Sequence, residues 1–184
     1  IVMYLHAFLT YPILLLAVPS LTPLGLLLTA VVTALYLRMR RLPLLATLDA
    51  WAPCATLVWA FLALGHFAEG SDLGLPTALP WGTAMFPGAA RLHPVALYAA
   101  IAAVSLTVAL FLQLRRRKRP GDTAAITLAA VGIVQFLLTF MRQPYIDAVS
   151  SSGILDPIQW VALGMIVAAG VIWLLPRKPV SHAV

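Results

Sequence analysis

The sequence predicts an all-α integral membrane protein, a polytopic bundle of about six transmembrane helices. Of its 184 residues, 62% are hydrophobic and 10% charged, where a soluble domain carries about 25% charged residues. Mean hydropathy is +0.97, and the apolar residues fall in runs of roughly twenty, the length that crosses a bilayer. The basic residues lie in short clusters between those runs. In water such a chain would expose contiguous apolar surface far beyond the few hundred square ångströms a soluble monomer tolerates. A membrane β-barrel needs alternating segments of about ten residues, and none is visible.

The runs are taken as one transmembrane domain over 1–184. The first covers residues 2–19 and contains Pro12, which should kink it. It has no basic leader and no small-residue cleavage site, so it is read as a helix and not a signal peptide. The second, 23–37, follows a turn between Pro19 and Pro23 and stops at Arg38, Arg40 and Arg41. The third, 46–67, carries Asp49 near its start, read as a cap for that start, and Cys54, read as a buried packing residue. The fourth, 94–114, is stopped by Arg115, Arg116, Arg117, Lys118 and Arg119, then Pro120-Gly121. The fifth, 123–141, has Asp122 or Thr123 to cap it, and the sixth, 157–175, ends at Pro176, Arg177 and Lys178. Two polar segments, 68–92 and 142–156, separate the third from the fourth run and the fifth from the sixth.

Charge sets the orientation. With six spans, all but two of the 12 lysines and arginines face one compartment, and Arg91 and Arg142 face the other. The positive-inside rule makes the first side cytoplasmic, with both ends of the chain there and the loops 68–92 and 142–156 outside. The net charge of +6 is thus a topology signal, not a nucleic-acid footprint. The run 115–119 is first a topology determinant, with attraction to anionic headgroups the alternative. The location implied is a plasma membrane, crossed several times.

Residues 65–81 read Gly-His-Phe-Ala-Glu-Gly-Ser-Asp-Leu-Gly-Leu-Pro-Thr-Ala-Leu-Pro-Trp. Leu48-Asp49 with Ala52-Pro53 precede them; His93-Pro94 with Leu97-Tyr98, and then Phe140, Arg142, Gln143 and Pro144, follow. In order and spacing these resemble the prolipoprotein diacylglyceryl transferases over residues 23–175. The first segment is similar to that family's G-R-[IL]-G-N-F-x-N-G-E-x-x-G-R-P-T-x-x-P-W, with Gly65, Phe67, Gly70, Gly74, Pro76, Thr77, Pro80 and Trp81 on matching positions. The other three resemble its L-D-x-x-A-P, H-P-x-Q-L-Y-E and E-F-x-R-[EQ]-P. The resemblance implies transfer of a diacylglyceryl group from phosphatidylglycerol to a prolipoprotein cysteine, in a bacterial inner membrane, in an outward-facing cavity among seven helices. One helix fewer is expected here; loss of the first would leave the new N-terminus cytoplasmic, as charge also indicates.

That chemistry needs cations for the departing glycerol phosphate and a base for the thiol. The positions that supply them in the family are changed. Pro23 stands for the His of H-G-G-L, Ala63 for the signature Arg, His66 for its Asn, Ser71 for its Glu, and Ala99 for the Glu of Q-L-Y-E. Gln135 and Thr139 stand for the Arg and Glu of R-F-x-x-E-F-x-R. Glycines, prolines, Trp81 and Tyr98 survive, and charge is what has gone. The expectation is a degenerate member of the family, a pseudoenzyme serving as a structural or lipid-binding subunit among other membrane proteins.

An active transferase with a rearranged site is the alternative, using His66, Glu69, Arg91, His93 and Arg142 as lipid-headgroup residues. Ordinary interfacial roles compete for each: Arg91 and Arg142 snorkelling or pairing with Glu69, Asp72 or Asp147, and the histidines serving loop backbone. An unrelated carrier or channel would need polar residues along the helix interiors, which are scarce. No metal is expected, because His66 and His93 lack a short ligand spacing and no Cys joins them. No cofactor is expected beyond a bound phospholipid, although His6, His66 or His93 would be the ligand if a pigment or haem were present. Tyr4, Tyr11, Tyr36, Trp51, Trp59, Trp81, Trp160 and Trp173 lie mostly near run ends and read as an interfacial belt.

Overall fold

A computed structural model describes residues 23–84, 86–143 and 155–176. Among them are five α-helices and no β-strand: α1 (Pro23–Met39), α2 (Leu44–Glu69), α3 (Val95–Arg116), α4 (Asp122–Thr139) and α5 (Pro157–Leu174). They coincide with five of the six predicted runs to within about two residues at each end, the margin to which helix ends are defined. The predicted span 2–19, His6, Pro144, Asp147, Arg177 and Lys178 lie outside the described residues. The helices α2 to α5 are long and apolar enough to cross a membrane. By contacts the chain divides into two units, Ile1–Leu44 and Leu45–Val184.

In the first unit, α1 stops through its own backbone. Arg41 takes a left-handed φ of 53°. The N–H of Leu42 then reaches the Leu37 carbonyl (2.9 Å) and that of Arg41 the Arg38 carbonyl (3.2 Å), which closes a Schellman turn.

In the second unit α2 ends the same way. Ser71 N–H donates to the His66 carbonyl (3.0 Å) and Gly70 N–H to that of Phe67 (3.2 Å). Gly70 occupies the left-handed position, φ 67°, where a Cβ would be strained. The start of α5 is set by a capping box. The Asp156 carboxylate accepts from Ile158 N–H (2.8 Å), the Gln159 amide oxygen accepts from Asp156 N–H (3.1 Å), and Pro157 fills the first helical position.

Small residues form the interior and large ones the periphery. The buried stripe of α2 is Asp49, Ala52, Pro53, Thr56, Ala60 and Ala63, at helical spacing. Ala96, Ala99, Ala100, Ala103 and Thr107 form that of α3, and Ala162 and Ala169 lie buried on α5. Trp51, Phe61, Trp160 and Trp173 face outward. That is the arrangement a lipid solvent favours: backbones approach closely over Ala, Gly and Thr, while bulky side chains meet acyl chains. A Cβ on Gly132 of α4 would come within 2.7 Å of the Ala162 carbonyl oxygen. Thr107 donates its hydroxyl to Thr56 (2.8 Å), a hydrogen bond between α3 and α2.

Two expectations are corrected. Cys54 is exposed, because the buried stripe of α2 runs through Pro53 and Thr56 and leaves it on the outer face. Asp49 is fully buried and does not cap its own helix. Its carboxylate accepts from Gly121 N–H (2.7 Å), Ala124 N–H (2.9 Å) and the Arg117 guanidinium (3.3 Å). It therefore caps α4, whose flanking Gly121 has no capping side chain of its own. Thr123, one of the expected caps, is buried with its hydroxyl unpaired.

Candidate functional site

At the far end of α2 from Asp49, the segment from Gly70 to Pro94 forms an irregular strap folded on itself. Thr83 and Leu92 exchange backbone hydrogen bonds (3.0 and 2.9 Å), and Thr77 N–H reaches the Arg91 carbonyl (2.8 Å). His93 N–H donates to the Leu75 carbonyl (3.0 Å), while Leu75 N–H reaches Met141 (2.8 Å) and Gln143 N–H reaches Leu73 (3.0 Å). The strap is thereby tied to the end of α4. Its surviving glycines have steric reasons. A Cβ on Gly74 would overlap the His93 carbonyl, and one on Gly82 would come within 2.8 Å of Thr77 Cγ2. Thr77 folds its hydroxyl back to accept from Leu79 N–H (3.2 Å). Trp81 donates its indole N–H to the Tyr98 hydroxyl (2.8 Å), which lies 3.4 Å from His93 Nδ1.

A cavity of about 370 Å³ opens between the end of α2 and the start of α3. Its polar lining comes from Glu69, Ser71, Asp72, Thr83 and His93. Of the five residues singled out from the sequence, Glu69 and His93 line it; His66, Arg91 and Arg142 do not. His66 sits beside it, with Nδ1 3.0 Å from the Ser71 hydroxyl and 3.9 Å from the Glu69 carboxylate. Serine and glutamate thus approach the same ring nitrogen, so the trio has no relay in which one nitrogen takes a proton while the other is oriented. The Ser71 hydroxyl donates instead to the His66 carbonyl (3.1 Å).

Arg91 and Arg142 are engaged elsewhere. Arg142 pairs with Asp72 at 2.7 Å, clamping the strap to the end of α4, as one of its expected pairings held. Arg91 donates to the Pro80 carbonyl (3.3 Å). The charged side chains that line the cavity are therefore carboxylates, Glu69 and the neutralised Asp72. Among the described residues, no group of three or more His, Cys, Asp or Glu gathers as a metal would require.

The positions where charge was expected to be missing have a definite setting. Ala63 and Ala99 lie in one apolar cluster with Val95, Ala100 and Leu138, flanked by Trp59, Tyr98 and Val134. Thr139 donates its hydroxyl to the Gln135 carbonyl within its own helix (2.8 Å). The links through Ser71 and Tyr98 were missed from sequence. The Trp81–Tyr98 contact joins residues 17 apart that no periodicity relates, although Ser71, at the position after Gly70, was in reach of any helix-end argument.

The family model for prolipoprotein diacylglyceryl transferase matches residues 24–175. Similar relatives are phosphatidylglycerol–prolipoprotein diacylglyceryl transferases. That of Paracidovorax citrulli is 32% identical over 152 residues, 78% of this chain and 55% of the relative. That of Chlamydia trachomatis is 29% identical over 154 residues, 77% of this chain and 56% of the relative. That of Cupriavidus necator is 32% identical over 163 residues, 83% of this chain and 59% of the relative. The chain thus spans little more than half the length of these relatives.

Proposed function

Because the chain belongs to the prolipoprotein diacylglyceryl transferase family, we propose that it is a multi-pass membrane protein that keeps the family scaffold without the transfer reaction, and acts as a structural or lipid-binding subunit of a bacterial membrane assembly. The observation that carries this is the setting of Ala63 and Ala99. The resemblance puts an Arg and a Glu at these positions, and here both are packed into one apolar cluster. Among the described residues, no guanidinium lines the cavity wall to hold the phosphate of phosphatidylglycerol. Arg142 pairs with Asp72 through a terminal nitrogen, Arg91 donates to a carbonyl, and the carboxylates Glu69 and Asp72 line the cavity. An anionic headgroup meets repulsion there, and each lost preorganised charge typically lowers a rate by a factor of about 10²–10³.

The surviving residues serve the scaffold. Gly74 and Gly82 permit close backbone packing in the strap, and Trp81 fixes it to Tyr98. Large outward side chains on α5, Trp160, Val161 and Val167 among them, offer area for lipid or for neighbouring membrane helices. The test uses the purified full chain in proteoliposomes with phosphatidylglycerol and a lipobox peptide. No thioether-linked product is expected; turnover above the protein-free background overturns the proposal. Native mass spectrometry of gently solubilised material reads the second half: co-purifying membrane chains are expected, and a monodisperse lone chain counts against a subunit role.

A further inference from the structure

At the other end of the bundle, the turn between α3 and α4 carries five consecutive cations, Arg115 to Arg119. One of them is withdrawn: Arg117 turns inward to Asp49, its side chain 25% exposed. The same Asp49 carboxylate holds the N–H groups of Gly121 and Ala124, so the backbone of the turn is pinned to α2. The other nearby carboxylate, Asp122, accepts from Arg119 N–H (3.0 Å). Both acids are thus engaged by the turn's own backbone. Arg115, Arg116, Lys118 and Arg119 are left exposed.

We propose that this turn is a binding site for the phosphate groups of anionic phospholipids, separate from the outer cavity. Its four cations stand where α3 ends and α4 begins, two helices long and apolar enough to cross a membrane, and lipid phosphates lie beside the ends of such spans. A charge run that only orients a protein has no need of a fixed backbone. Here the turn is held in place before any lipid arrives, which reduces the ordering cost of binding. Each cation close to an anionic surface favours contact by about fivefold, and screening keeps the combined effect below the product. A preference of about tenfold or more for an anionic over a zwitterionic lipid is the consequence.

The test is native mass spectrometry of the purified full chain in mixed micelles, with equal phosphatidylserine and phosphatidylcholine of matched acyl chains. Phosphatidylserine is the probe because the outer site is read as related to phosphatidylglycerol, so failure here and failure of the functional proposal stay distinguishable. Phosphatidylserine adducts are expected to exceed phosphatidylcholine adducts about tenfold. The variant R115Q/R116Q/K118Q/R119Q should bring the two lipids within about twofold, and R115K/R116K/R119K should keep the preference. If the fourfold variant does not fold, by circular dichroism, the pairs R115Q/R116Q and K118Q/R119Q carry the test, each with a partial loss. Equal adducts in the parent chain, or an unchanged preference in the glutamine variants, overturns the proposal. Displacement of phosphatidylserine by excess inorganic phosphate also overturns it, since the site would then take soluble phosphate and not lipid.

Discussion

Replacing Asp49 by alanine should destabilise the bundle more than any other single loss of a polar contact described above. The carboxylate is fully buried and is the acceptor for two backbone N–H groups, at Gly121 (2.7 Å) and Ala124 (2.9 Å). Without it, two donors at the start of α4 lose their partner in a region closed to water. A buried donor left unsatisfied costs about 1–3 kcal/mol, so the pair costs about 2–6 kcal/mol. The Arg117 ion pair adds less than about 1 kcal/mol, because the guanidinium is 25% exposed and can turn to water or headgroups. With partial relaxation of the turn, about 3 kcal/mol is the working figure. For a chain of this size that lowers the apparent Tm by about 6–12 °C. The assay is thermal unfolding of Asp49→Ala and Arg117→Ala in one detergent, followed by circular dichroism at one scan rate. Arg117→Ala should shift by less than about 4 °C, and the double variant should melt close to Asp49→Ala. If Asp49→Ala melts within about 2 °C of the parent, or if Arg117→Ala is the more damaging, the carboxylate is not holding the helix start and the reasoning fails.

Gly132→Val should loosen α4 from α5, since even its Cβ meets the Ala162 carbonyl oxygen at 2.7 Å and Ile166 Cγ1 at 2.9 Å; a loss of about 1–3 kcal/mol is expected by the same thermal assay. Gly164→Ala, with open space around its Cβ, should leave the melting point unchanged or slightly higher and serves as the control. Cys54 is the one cysteine in the chain and is exposed on α2, so a nitroxide attached to it needs no other substitution. In bilayers its relaxation should respond more to oxygen, which concentrates in lipid, than to a water-soluble nickel chelate; a label shielded from both would place Cys54 inside the bundle.

Apolar runs and their stops were readable residue by residue. Arg38 to Arg41 do end α1 and Arg115–Pro120 ends α3, because these residues act on the chain within a turn of themselves; that Gly70 closes α2 came from the structure. The motif order around Gly74, Pro76, Thr77, Pro80 and Trp81 was equally legible, and the geometry supplies its cause in close packing against His93 and a hydrogen bond to Tyr98. The candidate site was legible only in part. His66, Glu69, Arg91, His93 and Arg142 were placed at one end of the bundle, but which of them would face a common cavity was not. Arg142 turns to Asp72, 70 residues before it, and Arg91 to a carbonyl.

Composition and run length therefore decided the membrane class and the limits of the described helices, and the resemblance of four motifs in order and spacing decided the family. Three-dimensional packing decided which side of each helix is inside and where its few polar groups are satisfied. In a soluble helix the apolar face points inward, so periodicity reports burial. These helices are apolar on every side, and hydrophobicity cannot distinguish lipid from neighbour. Cys54 could thus be expected inside and lie outside, and Asp49 could be assigned to its own helix while its carboxylate capped another helix that begins more than 70 residues later.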